Sequence, residues 1–249
     1  MVVEAGSGHL GPSLSLVEIL TVLYFHTMRI RPEEPGWRDR DRLILSKGHA
    51  APALYAILAE TGYFPLQTLH TFRRMGSILQ GHPDLRVPGV DVVSGSLGQG
   101  LSVANGIAIA AKLDGRGSRT YALLGDGECD EGQIWEAAMT AAHYRLDNLT
   151  AIIDRNRMQS DGPTELVKMK EPLGEKWRAF GWKALETDGH CLKALVEVFE
   201  ATRRCEGAPT VVIANTVKGK GISFTEGDND FHNGSLTPEQ FRHAMRELD

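Results

Sequence analysis

Five short apolar runs constrain this chain more than any other feature. They are RLILS at 42–46, RTYALLG at 119–125, LTAIID at 149–154, WKALET at 182–187 and PTVVIAN at 209–215. Several carry apolar side chains at consecutive positions, without the alternation of a strand that is wet on one face. Strands of that kind are covered on both sides and lie in parallel sheets. Helical patterns fill the intervals, near 15–28, 50–61, 65–75, 99–113, 131–145, 171–180 and 191–205. Ser15 stands three residues before Glu18, the spacing of a capping box. A last helix is predicted over 237–248, with Thr237 as N-cap and Pro238 in the first turn. This alternation predicts an α/β fold, a doubly wound and mostly parallel sheet with helices on both faces. No Pro- or Ser-rich linker divides it, so residues 1–249 read as one domain.

Composition removes several classes of function. Lys and Arg number 27 against 32 Asp and Glu, a net charge of -5 with no basic run, which argues against nucleic acid and anionic membranes as partners. Apolar stretches break within about ten residues, too short to span a bilayer. The N-terminal MVVEAGSGH has no basic or apolar leader and reads as a truncated start, not a signal peptide. Cys129, Cys191 and Cys205 form no CxxC pair and no even framework, which suits a reducing cytoplasm. Glycine is in excess, at 27 of 249 residues, against a usual share of about 7%. Without a repeat, that excess implies backbone packed close to a ligand.

Open α/β sheets take ligands at the carboxyl ends of their strands. The loops to search therefore follow residues 46, 125, 154 and 215. After the second run comes Gly125-Asp126-Gly127, and thirty residues beyond Asp126 the next run ends at Asp154-Arg155-Asn156. On adjacent parallel strands, Asp126 and Asn156 would meet at one edge. A carboxylate and an amide oxygen are too few to cage Mg²⁺. They suffice for an octahedral ion completed by a backbone carbonyl, water and two diphosphate oxygens. By itself, GDG is also a common tight turn.

Nine histidines are present, four of them in Gly-flanked loops: His9 in GSGHLGPS, His49 in SKGHAAP, His82 in QGHPD and His232 in DFHNGS. An imidazole titrates near ~6.5 and suits proton transfer to and from hydroxyls. His26, His70, His143, His190 and His243 read as ordinary surface or helix residues.

The GDG and Asn156 pair resembles the thiamine-diphosphate motif of decarboxylases, 2-oxo acid dehydrogenases and transketolases. Taken in order, the SGHLG loop, DRLILSKGHAAPALYAIL, GHPD, GSLGQGLSVANGIAIAAK and LLGDGE resemble transketolases specifically, from Ala5 to about Phe241. Two departures are visible: Arg155 stands where the family often has Asn or Asp, and His232-Asn233-Gly234-Ser235 stands where it has an HGAP-like segment. The resemblance implies the thiamine-diphosphate-binding (PP-domain) fold. It also implies thiamine diphosphate with Mg²⁺ (Ca²⁺ or Mn²⁺ substituting), the ion held by Asp126, Asn156 and the Met158 carbonyl. His9, His49, His82 and His232 would line the channel to the sugar as catalytic residues, with His49 and His232 also at the cofactor. Gly95, Ser96 and Leu97 would meet the aminopyrimidine, and Gly127 the diphosphate. Glu131, counted with the catalytic set, would join a carboxylate network between subunits, and the Lys218–Gly221 turn would lie beside the cofactor.

In full-length transketolases, the glutamate that activates the aminopyrimidine and the arginines that grip the sugar phosphate reside in a pyrimidine-binding domain. That domain and the C-terminal domain are absent here and are expected on a partner chain. The implied protein is the N-terminal subunit of a two-chain, α2β2 transketolase. It would move a glycolaldehyde unit from a ketose phosphate to an aldose, as in the pentose phosphate pathway. The competing readings are a deoxyxylulose-phosphate synthase-like enzyme, a 2-oxo acid dehydrogenase α-like chain and a noncatalytic diphosphate-binding module.

Overall fold

A computed structural model describes residues 1–248. Its central sheet has five strands: β1 (Arg42–Leu45), β2 (Thr120–Gly125), β3 (Leu149–Arg155), β6 (Lys183–Asp188) and β7 (Thr210–Asn215). They are all parallel and lie in the order β1-β2-β3-β7-β6. A two-residue-per-arm hairpin, β4 (Met158–Gln159) with β5 (Gly162–Pro163), leaves the end of β3. The helices are α1 (Val2–Ala5), α2 (Leu10–Leu14), α3 (Val17–Val22), α4 (Ala51–Glu60), α5 (Gly100–Leu113), α6 (Gly132–His143), α7 (Thr164–Val167), α8 (Leu173–Ala179), α9 (Leu192–Arg203) and α10 (Pro238–Leu248).

The consecutive apolar residues of each strand serve two cores. Tyr121, Leu123, Ile152 and Val212 pack against α3, α4 and α9 through Ile19, Tyr55, Leu195 and Phe199. Their neighbours Ala122, Leu124, Ile153 and Ile213 face α5, α6 and α8 through Leu101, Ala138 and Trp177. Both faces are therefore covered, as the unalternated runs require. On the second face Trp177 touches Trp182 and Trp135, at ring-centroid distances of 4.8 and 5.3 Å. Among the described residues no helix is long and apolar enough to cross a membrane.

Register sets which strand ends meet. Gly125 stands opposite Asp154, and Arg155 opposite Asn215. From β3 the chain departs towards α8 on one face, while the segment after β7 packs Ile222 and Leu236 with Leu10 and Leu14 on the other. The divergence opens a crevice between β3 and β7, the place where such sheets bind ligands.

Three local expectations need correction. Residues 65–75 form a 3₁₀ turn at Leu66–Thr71 and then irregular chain, because the segment has little to bury: Phe72 is covered, but Met75 is fully exposed. The helix expected near 15–28 is α3 running into a π-helical turn at Leu23–Thr27, with the separate α2 before it. Ser15 makes no capping box. Its hydroxyl donates to Pro12 O and to Asp154, and Glu18 instead lies 3.1 Å from His190. At α10 the box does form, but with Gln240: Gln240 N donates to Thr237 Oγ1 and Thr237 N to Gln240 Oε1.

Candidate active site at the carboxyl edge of the sheet

The ends of β1, β2, β3 and β7 meet around Asp154, whose side chain is fully buried. Lys47 Nζ and Ser15 Oγ both donate to Asp154 Oδ2 at 2.6 Å, and Asn156 Nδ2 donates to it at 3.0 Å. Thr216 Oγ1 donates to the other oxygen. One carboxylate thus ties the loops after β1, β3 and β7 to α2. It also orients Asn156, whose Oδ1 accepts from Met158 N at 3.0 Å.

Asp126 sits beside this hub, equally out of water. Its oxygens accept from Gly127 N and Arg157 N, each at 2.7 Å. Burial, reinforced by the Asp154 charge, still pushes its carboxyl up to about 6. Glu128 forms a second buried brace. It accepts from Gly98 N at 2.8 Å, Gly125 N at 3.0 Å and Ser46 Oγ, so the GSLGQ loop is clamped to the end of β2. Burial raises its carboxyl as well.

Three imidazoles face this edge. The ring centroids of His9, His49 and His232 lie 5.1, 5.5 and 5.6 Å apart. Desolvation holds His9 and His232 down at about 4, and His49 lower still, with nearby cations adding to it. All three are neutral at pH 7, and His9 Nδ1 is buried without a partner. A neutral imidazole can donate from one nitrogen and accept at the other, as hydroxyl chemistry needs.

These groups line a cavity of about 350 Å³ that holds His9, His49, Asp126, Asn156, Met158 and His232. Gly95, Leu97, Gly127 and Glu131 line it too, whereas Ser96 is exposed beside it. His82 stands outside, at the exposed rim against Gly95. A Cβ on Gly95, where φ is 147°, would fall 2.8 Å from the His82 ring, so glycine permits that contact. Glu131 is exposed and caps nothing with its side chain; Gly98 packs against its Cβ. Arg155 turns away from Asn156 to Glu171 and Asn215. In the 218–221 turn the two lysines part. Lys218 is buried in the cavity wall, while Lys220 pairs with Glu226 at 3.1 Å. Gly219, at φ 77°, touches Thr225 so closely that a Cβ would sit 2.2 Å from its carbonyl oxygen.

Sequence reasoning missed Lys47, Asp154 and Glu128. The first two carried a faint signal, a lysine just after one apolar run and an aspartate ending another, at the same edge. His190 is also more than a surface residue: its Nε2 accepts from Val217 N at 2.8 Å, steadying the chain after β7.

The depressed imidazoles make stability pH-dependent. Below about 6.5 the unfolded chain takes up protons that the folded cluster refuses, so its contribution worsens as pH falls towards 4. Asp126 and Glu128, both raised, act in the opposite sense. The histidine contribution is therefore read from a pair of proteins. His232→Gln should gain several degrees of thermal midpoint on wild type between pH 7.5 and 5.5, in metal-free buffer; a constant gap would contradict the neutral cluster.

A doubly wound sheet with an oxygen-lined cavity at its carboxyl edge defines an α/β domain that takes a ligand at its switch point. The family described as "Transketolase, thiamine diphosphate binding domain" matches residues 1–248. The chain belongs to the transketolase family, whose members are transferases. It is 51% identical over 247 residues to the 6-deoxy-6-sulfo-D-fructose transketolase subunit SqwG of Clostridium sp. (strain MSTE9), covering 99% of this chain and 90% of that one. It is 45% identical to an apulose-4-phosphate transketolase subunit of Phocaeicola vulgatus, covering 100% and 88%. The solved transketolase of Campylobacter jejuni superposes with a TM-score of 0.93 at 34% identity, over 98% of this chain but 39% of that chain.

Proposed function

We propose that this chain is the thiamine-diphosphate-binding, N-terminal subunit of a two-chain transketolase, working with a partner that carries the pyrimidine-binding domain. The observation that carries the reading is the cluster of three imidazoles set beside Asp126 and Asn156 in one cavity. The similar length of the two subunit relatives supports a separate partner chain. An α2β2 assembly in the cytoplasm follows by analogy, with the free thiols Cys129, Cys191 and Cys205 in keeping with that compartment. Residues 1–249 then form one cofactor domain.

The residues fit the cofactor and its ion. Asp126, Asn156 Oδ1 and the Met158 carbonyl are all oxygen donors, suited to Mg²⁺. The raised carboxyl of Asp126 reports buried negative charge that a cation would neutralise. Among the described residues no cluster of three or more His, Cys, Asp or Glu could hold a metal by itself, which agrees with an ion shared with a diphosphate. Thiamine diphosphate supplies the carbanion chemistry when bound. The chain's part is to bind and orient. Gly95 and Leu97 border the aminopyrimidine side and Gly127 the diphosphate. By accepting from Asn156 Nδ2, Asp154 would leave the Oδ1 side of that amide for the ion. His9 and His49 exchange hydrogen bonds and protons with the sugar's hydroxyl and carbonyl oxygens, His232 shares the contact, and His82 borders the channel mouth. Glu131, exposed at the cavity rim, would meet another protomer.

The donor is a ketose with a terminal anionic group and the acceptor an aldose. The relatives named for 6-deoxy-6-sulfo-D-fructose and apulose-4-phosphate favour a specialised sugar over the pentose phosphate pathway. The transketolase relatives across the whole chain favour this reading over the synthase-like, dehydrogenase-like and noncatalytic ones. In a coupled assay against ketoses bearing phosphate or sulfonate, the chain alone should give no turnover. Adding the partner chain, thiamine diphosphate and Mg²⁺ should restore it. Robust activity without a partner would reject the two-chain reading.

A further inference from the structure

Lys218 is 1% exposed, although it belongs to a glycine-rich turn. Its Nζ donates to Asn229 Oδ1 and lies against His232 Nδ1, both at 2.7 Å. Asn229 Nδ2 donates to Ser160 O at 2.7 Å, and Ser160 Oγ is 3.3 Å from His232 Nε2. These contacts close a ring between the loop after β7 and the β4–β5 hairpin, just beyond Met158.

The ring fixes a proton. Burial lowers the Lys218 amine only to about 8, so at pH 7 it is an ammonium with three donors and no lone pair, and the nitrogen facing it must accept. A neutral imidazole has one N–H, which leaves that hydrogen on Nε2, the nitrogen beside Ser160 on the cavity lining. Burial, which holds His232 at about 4, keeps the ring neutral so that the choice of nitrogen matters. A histidine without such a neighbour could present either nitrogen to a sugar oxygen. This one cannot.

We propose that Lys218 is a positioning residue that holds His232 in its Nε2–H form, so that this imidazole meets a substrate oxygen as a hydrogen-bond donor and not as a base. The inference rests on the reading of His232 as a sugar-facing residue. It divides labour within the cluster: proton acceptance falls to His9 and His49.

The test is the tautomer itself, read from ¹⁵N shifts and two-bond ¹H–¹⁵N correlations in the histidine-labelled chain. The His232 signals are identified by their loss in His232→Gln. Wild type is expected to show the proton on Nε2; a proton on Nδ1 would overturn the proposal, whatever the variants do. In Lys218→Met the two forms should mix and turnover of the reconstituted enzyme should fall about 10-fold, as expected for a group that orients another. The KM for the sugar should change less than kcat. Lys218→Arg keeps a donor and should keep the wild-type tautomer and most of the turnover. A Lys218→Met protein that retains a pure Nε2–H signature would also overturn it. Full turnover of a His232→Ala enzyme would remove His232 from the sugar site and defeat the catalytic half, without disturbing the tautomer result.

Discussion

Lys47→Met should lower stability by about 3–5 kcal/mol, the usual cost of stranding one member of a buried ion pair. In a domain of this size that corresponds to a fall of about 10 °C in thermal midpoint. The side chains of Lys47 and Asp154 are 3% and 0% exposed and 2.6 Å apart. Removing the ammonium would leave Asp154 with Ser15, Asn156 and Thr216 as donors but no compensating charge. The deficit should be partly recovered in Lys47→Met/Asp154→Asn, which removes the stranded charge. A single variant melting within about 2 °C of wild type would show that the pair is not what ties the strand ends together.

Asp126→Asn is the second large effect. Mg²⁺-dependent binding of thiamine diphosphate in the reconstituted enzyme should weaken about 100-fold or more, since this change replaces the proposed anionic ligand where even an orienting partner costs 10–100-fold. The fold should suffer far less. The carboxylate is already penalised by burial, and the amide oxygen can still accept one of the two backbone N–H groups now shared between its oxygens. Titration of cofactor into the complex, followed by calorimetry at fixed Mg²⁺, reads the effect directly. Tight metal-dependent binding by the variant would reject Asp126 as a ligand.

Much of this was legible in the residues. The strands fall within a residue or two of the apolar runs, because a sheet covered on both faces writes itself as unbroken hydrophobic sequence. The loops bearing Asp126, Asn156, His9, His49 and His232 were findable because glycine and histidine are conspicuous after a strand. Other features lay beyond local reading. The 65–75 segment has helix-like spacing but little core to bury against, so tertiary context overrides its periodicity. The Lys47–Asp154 pair joins residues 107 positions apart, and no local pattern announces such a contact. Ser15 misleads because a hydroxyl near a helix start has two satisfying partners, a backbone N–H or a distant carboxylate. The buried charge of Asp154 makes the second the better one.

The strand order carries a consequence for how this protein comes to exist in the cell. Among the described residues β7 is the last strand in sequence, yet it lies between β3 and β6. During synthesis the sheet therefore waits with a gap until residues 210–215 emerge, and the cavity, which draws on residues from His9 to His232, waits with it. Contacts so remote in sequence form late, because loop closure must precede their reward. No nascent fragment offers the completed pocket. Any ligand that fills this cavity therefore arrives after the interior strand has been threaded into place.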